Sequence, residues 1–199
     1  MKKILIISLT ISILAISYAF YSGNLKKQKT MFEQKEYPKA LVSYTDFKGL
    51  VKDIEQHRQE RLINLDAFLT MSKEKNVVVL DSRSDFRYNR KHLKGAIHLS
   101  FTDFTQENLW KLIPDANTKI LIYCNNNFDG DQIDFASKMA MPKVPEETQI
   151  LSNRKPIMLA LNIPTYINLF GYGYKNVYEL DELVNINDKR ITFVGTEVK

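Results

Sequence analysis

The sequence predicts an α/β fold with an open parallel sheet flanked by helices, and two kinds of observation support this prediction. Residues 77–80 form a continuous run of valine and leucine, and residues 120–123 form a second apolar run. Such runs are typical of strands that are buried on both faces of a parallel sheet. Segments with helical spacing of apolar residues alternate with them, so the strands are joined by crossover helices.

The individual elements follow one another from residue 64 onward. Residues 64–69 predict a helix that is capped by Asn64 or Asp66 and buries Leu65, Phe68 and Leu69. The elements predicted after the strand at 77–80 are a short strand at 95–99, a helix at 105–113, the strand at 119–124, a helix at 164–170, a strand at 176–180 and an edge strand at 191–194.

The first residues have the pattern of an export signal. Lys2 and Lys3 precede an apolar stretch at 4–16, and small residues follow at 17 and 19. The stretch is short beside the ~20 residues of a membrane span, although including residues 18–21 leaves an uncleaved anchor as the alternative. We therefore expect a signal peptide or membrane anchor at 1–23 and an exported, periplasmic or otherwise extracytoplasmic protein. Membrane contact is expected only through this segment, if it is uncleaved.

The remaining length suits one domain with a substantial core. We expect a helical N-terminal extension at 24–60 and the compact domain at 61–199. The net charge of +5 is spread along the chain, so we do not expect nucleic acid binding. His57 and His98 have no cysteine or carboxylate at metal-ligand spacing, so no metal site is expected.

Cys124 is the only cysteine, and it directly follows the apolar run at 120–123. A polar loop, residues 125–130, follows it directly. Ligands of open α/β folds bind at the carboxyl ends of the strands. The sequence therefore leaves two interpretations of Cys124, a nucleophile or a small core residue at a strand tip.

Four sequence motifs resemble, in order, the signature of rhodanese-like domains. The first contains Asp81 and Arg83, and the second contains His92 and Gly95. The third is the strand that ends in Cys124, and the fourth is the segment at 173–180. The resemblance covers about residues 62–183 and implies a rhodanese-like fold. Asp81 and Arg83 are expected to form a buried or loop-fixing ion pair, and His92 is expected to bond a backbone group near the turn that contains Gly95.

The resemblance also implies a sulfurtransferase. Cys124 would accept a sulfane sulfur from a donor such as thiosulfate and pass it as a persulfide to a nucleophilic acceptor. The expected partners are these small molecules, with a protein partner as a further option, and no cofactor is expected. The thiolate and the persulfide need positive charge or inward-pointing amides. We expect this substrate-binding role from the loop residues Asn125, Asn126, Asn127, Phe128 and Gly130.

The loop after Cys124 departs from the family pattern, because no basic residue follows the cysteine closely. An insertion at about 128–153 follows instead, with an expected extra helix at 132–141. Asp129 and Asp131 would disfavour a nearby thiolate and repel an anionic donor. Arg154 is the predicted source of compensating positive charge.

Two other functions are considered, the first because of this departure and the second because rhodanese folds resemble those of a group of cysteine phosphatases. One is a catalytically inactive rhodanese-like module that uses the insertion to hold a protein partner. The other is a cysteine phosphatase, which needs an arginine six residues after its cysteine to grip the phosphate. Gly130 occupies that position, so the phosphatase function is excluded.

Overall fold

The structure is a computed structural model that describes Tyr21 and residues 38–138 and 160–198. The chain divides into two compact units, Met1–Ser43 and Tyr44–Lys199. In the first unit, residues 38–43 are exposed and carry no regular secondary structure. Apart from Tyr21, the predicted signal or anchor segment lies outside the described residues, as does Arg154. None of the helices described is both long enough and apolar enough to span a bilayer.

The second unit is an α/β structure around a parallel sheet. The strands of this sheet are β1 (Leu62–Ile63), β2 (Val77–Asp81), β4 (Ile97–His98), β5 (Lys119–Tyr123) and β7 (Val177–Leu180), in the spatial order β1-β7-β5-β2-β4. Every pairing between them is parallel. Two smaller pairs join β3 (His92–Leu93) to β9 (Phe193–Val194) and β6 (Phe128–Asp129) to β8 (Val184–Asn185). The prediction of an α/β fold with a mostly parallel sheet is confirmed.

Helices cover both faces of this sheet. They are α1 (Tyr44–Gln59), α2 (Leu65–Met71), α3 (Asp85–Arg90), α4 (Gln106–Leu112) and α5 (Asn162–Gly171). Successive side chains of a strand point to opposite faces of the sheet, so the residues of β5 contribute alternately to the two cores. Ile120 and Ile122 pack with residues of α1, α4 and α5, whereas Leu121 and Tyr123 pack with residues of α2. Because both faces of β5 are buried from Ile120 onward, residues 120–122 are all apolar.

Polar caps begin three of the helices, as expected for residues that satisfy free backbone amides. The Asn64 side chain accepts from the amide of Ala67 at 3.0 Å. Leu65 and Phe68 of α2 are buried as predicted, and Leu69 is half-buried. Ser84 and Thr105 cap α3 and α4 in the same way.

Helix α1 belongs to the compact second unit. Its Ile54 is buried in the core, and its Arg58 forms a two-armed hydrogen-bonded ion pair with Glu179 of β7, with both N···O distances 2.6 Å. Glu179 is itself buried. Burial raises the pKa of the Glu179 carboxyl, and the contacts with Arg58 lower it. Burial is the larger effect, so the pKa lies above its ordinary value.

Two elements differ from their predicted form. Residues 193–194 form a strand, but it pairs antiparallel with β3 and not with an edge of the central sheet. The predicted helix at 132–141 is wrong over its described part, where residues 132–134 form a single turn. Asp131 caps that turn through the amides of Ile133 and Asp134. The backbone of Lys138 then bonds the side chain of Asn126, which draws the chain away from a helical path.

Candidate active site

Cys124 directly follows the central strand β5, whose neighbours in the sheet are β2 and β7. This is the carboxyl edge of the parallel sheet, where ligands of open α/β folds bind. The side chain is almost fully buried, with 1% of its surface exposed. A short 3-10 helix, Asn125–Asn127, begins immediately after it.

Asn127 fixes the loop to the fold. Its Oδ1 accepts from the backbone amide of Cys124 at 2.8 Å, and its own amide donates to the Cys124 carbonyl at 3.1 Å. Its Nδ2 donates to the carbonyl of Leu180 at 2.7 Å, at the end of the neighbouring strand β7. The buried Asn127 side chain therefore sets the position of Cys124 between two strands.

The backbone amides of the loop divide into two groups. Those of Phe128 and Gly130 donate within the loop, to the carbonyl of Asn125 and to the side chain of Asp129. Those of Asn125 and Asn126 have no hydrogen-bond acceptor among the residues that the structure describes. Phe128 is fully buried and its ring packs against aromatic neighbours in the core. Asn125 and Asn126 are thus the members of the predicted set whose amides have no acceptor within the described residues.

Asp81 and Arg83 form a buried ion pair at the end of β2. The Arg83 Nη2 lies 2.7 Å from Asp81 Oδ2, and the two side chains are 0–1% exposed. Arg83 also donates to the Asn125 side chain and to the carbonyls of Lys91 and Asp134. One guanidinium therefore joins β2, the residue after α3, the Cys124 loop and the inserted segment.

The electrostatics of this cluster follow from burial and close pairing. Burial acts to lower the pKa of Arg83, but the hydrogen bonds and charge of Asp81 raise it overall. The hydrogen bond from Arg83 Nη1 to the Asn125 side chain, at 3.2 Å, places the guanidinium beside the residue that follows Cys124. Burial and the charge of Asp81 raise the pKa of Tyr123 well above its ordinary value. The Tyr123 hydroxyl accordingly donates to Asp81 Oδ2 at 2.5 Å.

Two acids near the start of the inserted segment form ion pairs with cations at the end of α3. Asp131 Oδ2 lies 3.0 Å from Lys91 Nζ, and Asp134 Oδ1 lies 2.6 Å from Arg90 Nε. Asp129 is exposed and accepts from the amide of Gly130. Asp129 and Asp131, the two acids expected to disfavour a thiolate, are thus engaged by the backbone and by a cation, respectively.

His92 lies in β3, directly after the C-cap of α3, and Gly95 follows that strand. His92 Nδ1 bonds the carbonyl of Tyr88 at 2.7 Å, and its ring stacks on the Tyr88 ring. Gly95 has φ +86°, which favours glycine. His98 bonds the carbonyl of Asp81 and the carboxylate of Asp85. No group of three or more metal-ligating side chains occurs in the part of the chain that the structure describes.

Comparison with known families decides the assignment. A family model for the rhodanese-like domain matches residues 64–182, which is more than half of the chain. The chain belongs to the rhodanese-like domain family. The solved structures similar to this rhodanese-like chain include "rhodanese with anions from E. coli", at 19% identity and a TM-score of 0.35. That match covers 60% of this chain and 98% of the other. No curated protein matches the chain.

Sequence reasoning missed three participants in this rhodanese-like site. Arg90 and Lys91, at the end of α3, form ion pairs with acids of the inserted segment. The Tyr123 hydroxyl, at the end of β5, donates a hydrogen bond to Asp81. The one available signal was the adjacent pair of cations directly before His92. Its partners lie 40 or more residues further along the chain, so the spacing alone could not reveal the pairing.

Proposed function

We propose that this rhodanese-like protein is a sulfurtransferase in which Cys124 carries the transferred sulfur. The thiolate attacks the outer sulfur of a donor such as thiosulfate, forming a Cys–S–S bond as sulfite leaves with the electron pair. A nucleophilic acceptor then attacks the outer sulfur, and the Cys124 thiolate leaves. Sulfur is conserved over the two steps, and no cofactor is required.

The observation that carries this proposal is the position of Cys124 between β2 and β7 at the carboxyl edge of the sheet. Two amides that find no acceptor among the described residues, those of Asn125 and Asn126, follow it directly. The buried Arg83 donates to the side chain of Asn125, the residue that follows Cys124, at 3.2 Å. Amides and a fixed positive charge stabilise an anionic sulfur better than water does in a buried site.

A coupled assay tests the activity. The protein is incubated with thiosulfate and cyanide, and thiocyanate formation is followed for the wild type and for Cys124→Ser. We expect turnover that requires Cys124 and saturates with donor. Equal thiocyanate formation in the two proteins would refute a role of Cys124 in sulfur transfer.

A second candidate function is a non-catalytic binding module, and the burial of Cys124 favours it. The sulfur is 1% exposed, and the side chain of Asn126 is bonded to the backbone of Lys138 in the inserted segment. In this case the insertion would hold a protein partner. A folded protein that accepts sulfur from neither thiosulfate nor polysulfide supports this second function.

Export is proposed from the sequence of residues 1–23. Fractionation of cells that produce the full-length chain tests it, with the size of the exported product distinguishing a cleaved signal from a retained anchor. We expect the protein outside the cytoplasm, and recovery from the cytoplasmic fraction would contradict this proposal.

A further inference from the structure

Two cations at the end of α3 are anchored beside the Cys124 loop. Arg83 Nη2 donates to the carbonyl of Lys91 at 2.7 Å, while its Nη1 donates to the Asn125 side chain at 3.2 Å. The same guanidinium therefore contacts the backbone of Lys91 and the residue that follows Cys124. Arg90 directly precedes Lys91, so the side chains of both cations leave the backbone at this edge of the site.

Carboxylates of the inserted segment engage both cations. Lys91 Nζ lies 3.0 Å from Asp131 Oδ2, and Arg90 Nε lies 2.6 Å from Asp134 Oδ1. Glu197 also approaches Arg90 Nη1, at 3.6 Å. The two cationic side chains are 19–24% exposed, so they are accessible at the rim of the site and not locked in the core.

The cover segment, residues 131–138, is also held to the loop itself. The Asp134 carbonyl accepts from Arg83 at 3.2 Å, and Lys138 exchanges two hydrogen bonds with the Asn126 side chain. Phe135 is fully buried and lies under the Arg83 guanidinium, 4.5 Å from its centre. The cover segment therefore contacts the residues that follow Cys124, while its carboxylates form ion pairs with Arg90 and Lys91.

We infer that Arg90 and Lys91 form an anion-binding subsite for the sulfur donor of Cys124, which Asp131 and Asp134 occupy in the closed state. Carboxylates and the oxygen atoms of a small sulfur oxyanion make the same charge-assisted hydrogen bonds to arginine and lysine. An anionic donor enters by displacing the two carboxylates, which also releases the cover segment. The inference deepens the proposed function and rests on it for the identity of the donor.

Alkylation of Cys124 by two reagents that differ in charge tests the subsite without requiring sulfur transfer. The full-length chain is treated with iodoacetate, an anion, or with neutral iodoacetamide, and modification is followed by mass spectrometry. Asp131→Asn combined with Asp134→Asn keeps the shape of both side chains but removes their charge. We expect the iodoacetate-to-iodoacetamide rate ratio to rise about three- to tenfold, the size expected for two partly exposed ion pairs.

Two control variants distinguish two causes of a raised rate ratio. One cause is the release of the two cations, and the other is a weaker attachment of the cover segment. Arg90→Gln breaks one ion pair, but it also removes a cation of the subsite and leaves the Asp134 carboxylate without its cation. Modification by iodoacetamide should therefore accelerate, and the iodoacetate-to-iodoacetamide ratio should fall. Glu107→Gln breaks the exposed pair with Lys111 and should leave both rates unchanged. Asp131→Asn alone should raise the ratio less than the double variant does.

The subsite is refuted by an unchanged ratio in the double variant, or by an equal rise in Arg90→Gln. A Cys124 that reacts with neither reagent in any variant also overturns it, because the cover then does not open. A raised ratio without sulfur transfer would retain the subsite and remove the proposed activity, so the two failures are distinguishable.

Discussion

Arg83 donates from Nη1 to the side chain of Asn125 at 3.2 Å, which links the family motif at the end of β2 to the residue after Cys124. The remaining N–H groups of this guanidinium bond Asp81, Lys91 and Asp134. A buried arginine is stable only when its charge is paired and its donors are satisfied. The geometry of the Cys124 loop therefore depends on an ion pair that belongs to the core.

Removal of the Arg83 charge should strongly destabilise the fold. Arg83→Gln leaves Asp81 buried and uncompensated, and loss of one partner of a buried pair costs about 3–5 kcal/mol. Chemical denaturation of the variant measures this free energy of unfolding. Lys111→Gln, which breaks an exposed pair with Glu107, is the control and should change stability by less than ~1 kcal/mol. Equal effects of the two substitutions would contradict the role given to Arg83.

Asn127→Ala should loosen the loop that carries Cys124. The substitution leaves the buried amide of Cys124 and the carbonyl of Leu180 without their partner, at a cost of about 1–3 kcal/mol. We expect a lower Tm and faster hydrogen exchange at the Cys124 amide. Asn187→Ala, at an exposed position, is the matched control and should alter neither quantity.

Gly195→Ala should displace strand β9 from β3. A Cβ at residue 195 would lie 2.3 Å from the Arg90 carbonyl oxygen, and the φ of +139° is one that alanine rarely adopts. We expect a lower Tm. Gly49→Ala is the matched control, because a Cβ there meets nothing within 4 Å inside helix α1. That change should stabilise the protein by roughly 0.5–1 kcal/mol, and a loss of stability there would contradict the account of these glycines.

Acid should weaken the attachment of the cover segment through Asp131. Burial acts to raise the pKa of this carboxyl, but bonds from the Asp134 amide and from Lys91 lower it overall below its ordinary value of 3.8. A lowered folded-state pKa means stability that is present above the ordinary value and lost as the pH falls through the folded value. The Tm of the wild type should therefore approach that of Asp131→Asn as the pH falls from 5 to 2. A constant difference over this range would rule out the Asp131 contribution.

The central sheet was predictable because its signals are local. The apolar runs at 77–80 and 120–123 and the cap at Asn64 each depend on a few neighbouring residues. Strand β1 escaped prediction because two residues carry too little pattern. The turn at 132–134 escaped it because the bonds of Lys138 to Asn126 override the helical spacing.

The candidate site was predictable only where the family motif specifies it. Cys124 and the Asp81–Arg83 pair follow from motifs in the sequence. The ion pairs of Arg90 and Lys91 join residues 40 and 44 positions apart, and no local pattern encodes such a contact. Arg154, to which the compensating charge was assigned, lies outside the described residues, and its role stays a prediction.

Mass spectrometry of the full-length chain after exposure to thiosulfate, and separately to polysulfide, tests the central claim most directly. Cys124→Ser is the control, and cyanide is added afterwards to remove sulfane sulfur. The account predicts a gain of one sulfur atom on Cys124 that cyanide reverses and that the serine variant lacks. A folded protein that gains no sulfur from either donor would contradict sulfur transfer and favour the binding module.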